Sequence, residues 1–575
     1  MALLPSPGNS PVILIPRTNN KELETNQMNN TIKITPLGGL PNVHDNMFVY
    51  ESDSDILIVD CGLGFPDEGV SGVDLTIPDI TYLKGKEHMI RGFVVTHGHE
   101  DHIGGFPYII PQLGEGIPIY ASKLPAGLIK EKFKEFHINP NIINVVGDRQ
   151  PIQLGVFEVK MIPVTHSIPD TKHLVIKTPH GNVYHGSDFK FDWTPVGQDL
   201  PDIQSITKAG AEGVTLLMSD CLRSEKPGHS HSEAIIEDSF EREFRDVENR
   251  VVITAMSSSI SRIQQALWVA KRNKRKVAFI GFSIERNVRV ATTLGFLKIP
   301  PRLVIDKKKI NSLPKNEQCL IVAGSQGQLG SSLDKIATGD HWAITLDPDD
   351  KVIFSSDPIP GNENNVYRVI DMLSQRGITV SYSDISDDLH VSGHASSTEL
   401  MMLMAMTKPK YVIGTGGTHR HMIQYARLAR QMGLTDNQIL MPENKQIVIS
   451  QGGVVSLGDP VEVKTVYVES GEITHTDKPI QDRQIMFQEG VVVTVITISA
   501  DGSGFEIDLI PKGITKYLDS GMMTEIKSAL LKSLSLEDLT QDKLYSKDKI
   551  AKEVGRLFIK KISKNPVVIP VIIKD

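Results

Sequence analysis

The chain has 575 residues, of which 40% are hydrophobic and 23% are charged. These values are typical of a soluble globular protein with more than one domain, and they provide enough apolar material for full-size cores. The formal net charge of -8 argues against a chain that is basic throughout, as many nucleic-acid-binding proteins are. It leaves room for a local basic channel on an acidic protein.

The three cysteines, Cys61, Cys221 and Cys319, lie far apart and form no CxxC pair. A sparse and odd set of cysteines argues against a disulfide framework and favours a reducing compartment, so we predict a cytoplasmic protein. The first residues include proline and asparagine rather than one apolar stretch with a small-residue cleavage site. No apolar run reaches the length of a membrane span, so the sequence predicts neither a signal peptide nor a membrane protein.

Residues 1–30 are rich in proline, asparagine and other polar residues, which predicts a flexible N-terminal extension. From Thr31 onward, short β-branched runs alternate with turn residues, and this pattern indicates a sheet. One helix is predicted at residues 124–136. The predicted strands of this part include residues 32–34, 47–50, 56–59, 93–96, 157–162 and 173–177.

Helical patterns become commoner after about residue 220. Residues 232–248 and 261–272 are predicted helices, and in the second of them apolar side chains recur at helical spacing. Strands are predicted between and after them, at residues 251–255, 277–280 and 318–323. The alternation of strands and helices predicts an α/β segment with a largely parallel sheet.

The last hundred residues predict a small separate α+β domain. Strands are expected at residues 490–498 and 567–573, and helices at about 524–533 and 548–561. The predicted division of the whole chain is 1–30 (extension), 31–225 (first domain), 226–380 (insert), 381–450 (return to the first domain), 451–476 (linker) and 477–575 (C-terminal domain).

The strongest chemical signal lies at residues 97–102, where most side chains are imidazoles or carboxylates and an apolar strand leads directly into them. Gly98 gives the loop the freedom to fold these side chains inward. Imidazole nitrogen and carboxylate oxygen are ligands of zinc, and an aspartate can serve a second, neighbouring ion. The segment therefore predicts a metal centre that includes His97, His99, Asp101 and His102.

This spacing resembles the HxHxDH signature of the metallo-β-lactamase superfamily. The remaining parts of that pattern follow in the expected order, as Asp60 after a strand, then His166, then Asp188. The resemblance implies two sets of metal ligands that share one aspartate. The first set is His97, His99, His166 and Asp188. The second set is Asp101, His102 and Asp188.

Further motifs resemble the β-CASP nucleases and, within them, the bacterial ribonuclease J family, over roughly residues 31–575. The fold class that this implies is α/β, a metallo-β-lactamase αββα sandwich with an inserted β-CASP α/β domain and a small C-terminal α+β domain. The motifs are Met218-Ser219-Asp220, Thr254-Ala255-Met256-Ser257-Ser258, Arg262-Ile263-Gln264-Gln265, Gly324-Ser325-Gln326-Gly327, Pro358-Ile359-Pro360-Gly361-Asn362-Glu363, Leu389-His390-Val391-Ser392-Gly393-His394-Ala395-Ser396 and the strand at 567–573.

The resemblance also implies roles for individual residues. His394 and Asp220 act as an acid and base pair at the scissile phosphate, and Asp101 orients the attacking water. The substrate-binding segment comprises His390, Val391, Ser392, Gly393 and His394. The implied activity is metal-dependent hydrolysis of RNA, internally and from the 5′ end, in RNA maturation and decay.

The implied cofactors are two zinc ions per chain, with manganese as an alternative. The implied partners are single-stranded RNA and further copies of the chain, in a homodimer or homotetramer. One departure from the family pattern concerns the second ion. The family carries a late histidine ligand before a glutamate and an arginine, and with Arg420 as the anchor this histidine falls on Gly416. His419 and His421 are candidates to replace it, and the second site is expected to be weak otherwise.

Three other functions stay open at this point. The first is hydrolysis of small thioesters or lactams on the same metal scaffold, although the insert and the segment at 390–394 argue against a small substrate. The second is DNA processing by a related β-CASP enzyme. The third is an RNA-binding protein with a degraded second metal site, for which Gly416 is the main support.

Overall fold

The computed structural model describes residues 31–66, 70, 72–359, 361–386, 388–474, 478–514, 520–540 and 543–574. The predicted extension at residues 1–30 lies outside the described residues. Backbone contacts divide the chain into two compact units. The first holds the residues up to Gly62 together with Pro78–Val463, and the second holds Leu63–Ile77 together with the residues from Lys464 onward.

The elements before residue 226 are mostly strands, as predicted. The strands are β1 (Thr31–Gly38), β2 (Met47–Glu51), β3 (Ile56–Val59), β4 (Leu75–Ile77), β5 (Ile90–Val94), β6 (Ile119–Ala121), β7 (Ile143–Val145), β8 (Ile152–Leu154), β9 (Phe157–Pro163), β10 (Lys172–Thr178), β11 (Gly181–Gly186) and β12 (Leu216–Asp220). The α-helices are α1 (Glu100–Ile103), α2 (Phe106–Leu113), α3 (Lys123–Glu135) and α4 (Ile203–Glu212).

The insert alternates strands and helices. Its strands are β13 (Val251–Thr254), β14 (Lys276–Ile280), β15 (Gln318–Val322), β16 (Lys351–Phe354) and β17 (Thr379–Ser381). Its α-helices are α5 (Ile235–Phe244), α6 (Ile260–Arg272), α7 (Phe282–Leu294), α8 (Ser332–Thr338) and α9 (Glu363–Gln375). The strands form one parallel sheet in the order β14-β15-β13-β16-β17, which is the predicted α/β arrangement.

After the insert, strands and helices are distributed over both units. The strands are β18 (Tyr411–Thr415), β19 (Lys445–Ser450), β20 (Val454–Pro460), β21 (Val466–Glu469), β22 (Glu472–Ile473), β23 (Val491–Ile498), β24 (Phe505–Lys512) and β25 (Val567–Lys574). The α-helices are α10 (Ser397–Thr407), α11 (His419–Gln431), α12 (Lys478–Glu489), α13 (Ser520–Ser533), α14 (Leu536–Thr540) and α15 (Lys543–Ile562).

Two sheets pack face to face in the first unit. One has the strand order β20-β19-β1-β2-β3-β5-β6-β7 and the other has the order β18-β12-β11-β10-β9-β8. Apolar side chains from both sheets, such as Phe48, Val59, Leu174 and Leu217, lie in one common core. The central strand β3 is buried along its whole length, which explains why its sequence is an unbroken apolar run.

The chain returns from the insert to complete both sheets. Strand β18 joins the second sheet beside β12 in parallel register, so that Thr415 pairs with Asp220. Strand β19 joins the first sheet beside β1, and β20 extends that sheet at its edge. Part of the predicted linker at residues 451–476 therefore belongs to the first sheet, while the predicted domain boundaries themselves stay predictions.

The second unit contains two small sheets. In one of them β21 pairs with β22 and with β4, and in the other β23 lies between β24 and β25. Side chains of β23 are alternately half-buried and buried, because one face of the strand packs on a core that includes Ile526, Leu530, Val554 and Phe558. Among the described helices of the chain, none has the length and apolar character that a bilayer span requires.

A buried ion-pair network ties the insert to the segment that follows it. Arg262 on α6 is 2% exposed, and its Nη2 donates to both carboxylate oxygens of Glu233 at 2.9 and 3.1 Å. Its Nη1 donates to the carbonyl of Ser355 and to Nδ1 of His390, at 2.7 and 2.8 Å. Nη2 of Arg262 also donates to the carbonyl of Val391 at 3.1 Å. The predicted substrate segment is therefore held in place by an arginine of the insert.

We expect Arg262→Ala to lower the free energy of unfolding by about 3–5 kcal/mol, because the buried Glu233 carboxylate loses its hydrogen-bonded partner and keeps only Lys190, at 3.8 Å. Arg272→Ala is the matched control on the same helix, since Arg272 is 48% exposed and pairs with Glu237 at the surface. Its loss should cost less than about 1 kcal/mol. Urea unfolding of the two variants measures the difference, and equal costs would contradict the role assigned to Arg262.

Candidate metal centre

The carboxyl ends of several strands deliver the predicted site residues to one place. Strands β3 and β5 are parallel, so Asp60 directly after β3 meets the loop that follows β5. Strands β9 and β11 both run antiparallel to β10, and β12 and β18 continue parallel to β11. His166, Asp188 and Asp220 therefore leave the same edge of the second sheet. Parallel strand ends are the usual place for a site in such folds.

His97, His99, His166 and Asp188 form the first cluster, with one ligand-type atom from each lying within 4.8 Å of the others. Nδ1 of His99 lies 3.2 Å from Nε2 of His97 and 3.1 Å from Nε2 of His166. Burial, followed by neighbouring imidazoles, holds the pKa of His97 and His166 well below the usual range. Neutral imidazoles whose nitrogens converge beside a carboxylate are the donor set that zinc prefers.

Backbone contacts fix the orientation of His166. Its Nδ1 donates to the carbonyl of Gly393 at 2.7 Å, which leaves Nε2 facing the cluster. A Cβ atom on Gly393 would lie 2.7 Å from Cε1 of His166, so only glycine allows this approach. Gly393 thus belongs to the site through its backbone.

Asp101, His102 and Asp188 form a second cluster, again with ligand-type atoms within 4.8 Å. Nδ1 of His102 donates to Asp60 at 2.7 Å, and its Nε2 is buried without a hydrogen-bond partner. Burial opposes a charge on His102, yet Asp101, Asp60 and Asp188 outweigh it and raise its pKa well above normal. The same carboxylates attract a metal cation, so these residues fit the second metal ion that the resemblance implies.

Asp60 is the residue whose task the sequence left open. It adopts a left-handed backbone conformation with φ 60° and is 1% exposed. Its carboxylate accepts from the backbone N and the hydroxyl of Thr96, at 2.8 and 2.7 Å, and from His102. A carboxylate that holds the far nitrogen of a ligand histidine sets the tautomer and direction of that ring. Asp60 therefore orients His102 and anchors the start of the loop.

Glu100 is a second residue that sequence reasoning gave no role. It lies between His99 and Asp101, and its carboxylate pairs with Lys132 of α3 at 2.5 Å and with Arg286 of α7 at 3.0 Å. The loop that carries the clustered histidines is thereby tied to the insert. Only the charge of Glu100 was visible in the sequence, because its two partners are distant along the chain.

His394 and Asp220 meet beside the clusters, as the resemblance implies. Nδ1 of His394 lies 2.9 Å from Oδ2 of Asp220, and Oδ1 of Asp220 accepts from the backbone N of Leu222 at 2.9 Å. With Asp188 these two residues form a third group of ligand-type atoms within 4.8 Å. Burial disfavours the charge on His394, but Asp220 and Asp188 more than offset it and raise its pKa to about 9.

The rest of the predicted substrate segment has other contacts. His390 turns to Arg262, and Val391 is buried. The hydroxyl of Ser392 accepts from the backbone N of His394 at 3.1 Å, which sets the turn that presents the histidine. Among the described residues, His390 belongs to none of the three clusters. The substrate-binding role of these residues stays a prediction.

Gly416 follows β18 at the same edge, with φ 62°. A Cβ atom there would lie 3.7 Å from Oδ1 of Asp188 and 3.8 Å from Oδ1 of Asp220. A side chain at this position would thus point toward Asp188, which belongs to the second cluster, and toward Asp220 of the third. The glycine leaves that space without a ligand from this strand.

Neither candidate replacement reaches the clusters among the described residues. His419 has a half-exposed side chain, and its Nε2 lies 3.7 Å from Glu443. His421 is buried, and its Nδ1 lies 3.2 Å from the backbone N of Thr418 and 3.1 Å from its hydroxyl, which caps the first turn of α11. Its location is explained by helix capping.

Four family models match the chain. They are "Ribonuclease J, beta-CASP domain" at residues 248–373, "Ribonuclease J C-terminal domain" at 479–574, "Beta-lactamase superfamily domain" at 57–254 and "Zn-dependent metallo-hydrolase RNA specificity domain" at 378–442. Together these matches cover both units and every residue of the three clusters.

Curated relatives are similar over most of the chain. Ribonuclease J of Thermus thermophilus is 35% identical, with 94% of this chain and 95% of the relative covered. Ribonuclease J of Synechocystis is 36% identical over 83% of this chain and 74% of the relative. Ribonuclease J2 of Bacillus subtilis is 31% identical over 94% of this chain and 98% of the relative.

We expect the purified chain to retain one metal ion after dialysis and to lose a second. The second cluster offers Asp101, His102 and the shared Asp188, and Gly416 supplies no imidazole, so the second ion should bind more weakly. Gly416→His should increase the metal retained, at a backbone strain of about 1 kcal/mol because φ is positive.

Gly433→His is the matched control for this prediction. Gly433 also has a positive φ, of 91°, and nothing within 4 Å of an added Cβ atom. It should carry the same kind of backbone strain without any change in metal content. Metal analysis of the three dialysed proteins decides the question, and two ions retained by the unaltered chain would show that its second site is complete.

Proposed function

Because the chain belongs to the ribonuclease J family and is a metal-dependent ribonuclease, we propose that it hydrolyses single-stranded RNA both internally and from the 5′ end, in RNA maturation and decay. The predicted family, the fold class and the enzyme class are confirmed by the same matches. The observation that carries the proposal is the buried convergence of His97, His99, His166 and Asp188 beside the His394–Asp220 pair.

We propose zinc as the resident metal, at two ions per chain with the second weakly held, and manganese as a substitute. His97, His99, His166 and Asp188 would hold the first ion, and Asp101, His102 and Asp188 would hold the second. When bound, a pair of such cations lowers the pKa of water to about 7 and offsets charge on the phosphodiester oxygens.

The remaining residues orient the reactants. Asp101 has a side chain that is 30% exposed, so it can accept a hydrogen bond from the attacking water and direct it. His394 donates from Nδ1 to Asp220, which leaves its other ring nitrogen for an oxygen of the scissile phosphate or for the proton of the leaving group. Asp220 is 1% exposed and keeps that ring in one orientation.

The insert distinguishes this proposal from hydrolysis of a small substrate. Arg262 holds His390 and the carbonyl of Val391, and Arg286 holds Glu100, so the insert contacts the site on two sides. Contacts from a large insert on two sides of the site suit an extended strand better than a small thioester or lactam. The cytoplasmic location predicted from the cysteines stays a prediction.

We expect the purified protein to cleave labelled single-stranded RNA, to leave DNA of the same sequence largely intact, and to lose activity in a chelator. His97→Ala and Asp188→Ala should each reduce cleavage by more than a hundredfold while the fold is retained, because each removes a ligand of the first cluster. His88→Ala removes an exposed imidazole elsewhere in the same unit and serves as the control.

The outcomes separate the competing functions. Equal cleavage of DNA would favour a DNA nuclease. RNA binding without cleavage at any zinc or manganese concentration would favour an RNA-binding protein with a degraded metal site. Normal turnover by the His97→Ala protein would remove the metal mechanism altogether.

We further propose that the chain forms a homodimer or homotetramer through its C-terminal part. The short β4–β21–β22 sheet ends at Ile473, so a chain ending at residue 476 keeps it and removes the sheet of β23, β24 and β25. This sheet leaves β24 and β25 as edges with exposed Ile510 and Ile573. We expect the shortened chain to form a smaller oligomer in light scattering, and an unchanged oligomer would contradict the proposal.

A further inference from the structure

Arg223 is an arginine whose side chain has no partner among the described residues, and it lies close along the chain to Asp220 of the third cluster. It lies three residues beyond Asp220, in the loop that leaves β12. Its Nε is buried and has no hydrogen-bond partner, and its guanidinium forms no ion pair with a carboxylate in the part of the chain that the structure describes. A buried donor that stays unsatisfied requires an explanation, because the great majority of such groups are paired.

Other arginines of the same unit show what the usual arrangement is. Arg262 and Arg368 also have an unpaired Nε, but their Nη atoms bind Glu233 and Asp334. Arg275 donates to three backbone carbonyls, of residues 247, 249 and 318. Arg223 therefore differs from arginines that stabilise the fold through contacts within the chain.

The backbone around Arg223 is firmly held. The N–H of Cys221 donates to the carbonyl of Thr415 at 2.9 Å, and the hydroxyl of Ser224 donates to the carbonyl of His421 at 2.7 Å. The carbonyl of Arg223 itself accepts from the N–H of Lys226 at 2.9 Å. The arginine is thus presented from a fixed position next to Asp220, as a pre-organised binding residue requires.

The carboxylates near Arg223 accept from other donors, Asp357 from the hydroxyl of Ser383. Glu399 accepts from the backbone N of residues 191, 230 and 396, and Asp220 accepts from Leu222 and His394. Burial lowers the pKa of Arg223, while Asp357, Glu399 and Asp220 act in the opposite direction, and none of the three forms an ion pair with it among the described residues. Arginine remains charged in proteins, which leaves its guanidinium available for an external anion.

Arg223 also lies near the segment that follows the insert. The N–H of Ser397 donates to the carbonyl of Lys226 at 2.9 Å, and the hydroxyl of Ser230 donates to the carbonyl of His394 at 2.6 Å, so the loop that carries Arg223 packs on that segment. Three residues of chain span at most about 10 Å, so the backbone of Arg223 lies within that distance of Asp220, which lies 2.9 Å from Nδ1 of His394.

We propose that Arg223 binds the phosphodiester group of RNA adjacent to the one that is hydrolysed. This inference rests on the proposed function, since it names a residue that holds the same substrate. The planar guanidinium can donate two parallel hydrogen bonds to phosphate oxygens, including one from the otherwise unsatisfied Nε. The contact is made with the phosphate backbone and not with the bases, so it positions the RNA strand without sequence specificity.

The test measures binding of a labelled single-stranded RNA to the full chain in a chelator, over a range of salt concentrations. A single-strand phosphate contact contributes about 0.7 to the slope of log K against log salt concentration. R223Q and R223M should each lose about that much of the slope and weaken binding on the order of tenfold. R223K keeps a point charge and should retain most of the slope.

R430Q is the matched control, because Arg430 is an exposed arginine in the last turn of α11 that pairs with Asp436. It removes the same charge and should leave both slope and affinity unchanged. Thermal unfolding identifies any variant that does not fold. The test is then decided by the salt slope of R223Q or R223M, using each of the two that is folded. A purely structural arginine would change the unfolding temperature and leave the salt slope as it is.

The results distinguish this inference from the proposed function. If the unaltered chain binds and cleaves RNA while folded R223Q and R223M keep its salt slope, the role of Arg223 is wrong and the function stands. An equal loss of slope in R430Q would also overturn the inference, because the effect would then be one of net charge. If the unaltered chain neither binds nor cleaves RNA, the proposed function itself fails.

Discussion

A buried negative charge on Asp188 is the constraint on which the centre depends. The residue is 7% exposed, and its Oδ2 lies 3.6 to 3.8 Å from ring nitrogens of His97, His102 and His166. Burial alone would raise its pKa, but His394 and His102 hold it well below normal, so the carboxylate stays ionised. An ionised carboxylate inside a protein must be compensated by cations. The arrangement of strand ends around Asp188 supplies the positions from which imidazoles and metal ions can do so.

The same requirement explains the contacts around the ligands. His102 directs its Nε2 inward because Asp60 accepts a hydrogen bond from its Nδ1. His166 directs its Nε2 inward because the carbonyl of Gly393 accepts from its Nδ1. Each supporting group comes from a different strand end or loop. Gly416 adds no such supporting or ligand-type group, because a glycine brings only backbone to this position. The centre is therefore asymmetric, with one cluster of three imidazoles and one cluster that depends on carboxylates.

The sequence was most informative where chemistry is local. Residues 97–102 form one short segment that follows β5 and runs into α1, so their spacing alone predicted a common site, whereas His166 and Asp188 could be assigned only through the family pattern. His421 shows the limit of such reasoning, because helix capping by Thr418 determines where its ring lies. The helix Lys478–Glu489 was not predicted, since only Ile480 is buried in it and no apolar stripe marks it. The helix predicted at 232–248 ends at Phe244, because the next residue is extended.

Coupling between the insert and the metal centre was invisible in the sequence, since it depends on pairs that are far apart along the chain. Arg286 of α7 reaches Glu100, the neighbour of two clustered residues, and Arg262 of α6 reaches the carbonyl of Val391, two residues before Gly393. Both helices pack against the parallel sheet of the insert. Ion pairs that are buried or half-buried resist separation, because breaking one leaves a charge without compensation. The geometry of the clusters therefore depends on the insert as much as on the strand ends that carry the clustered residues, and this dependence gives the insert a structural task.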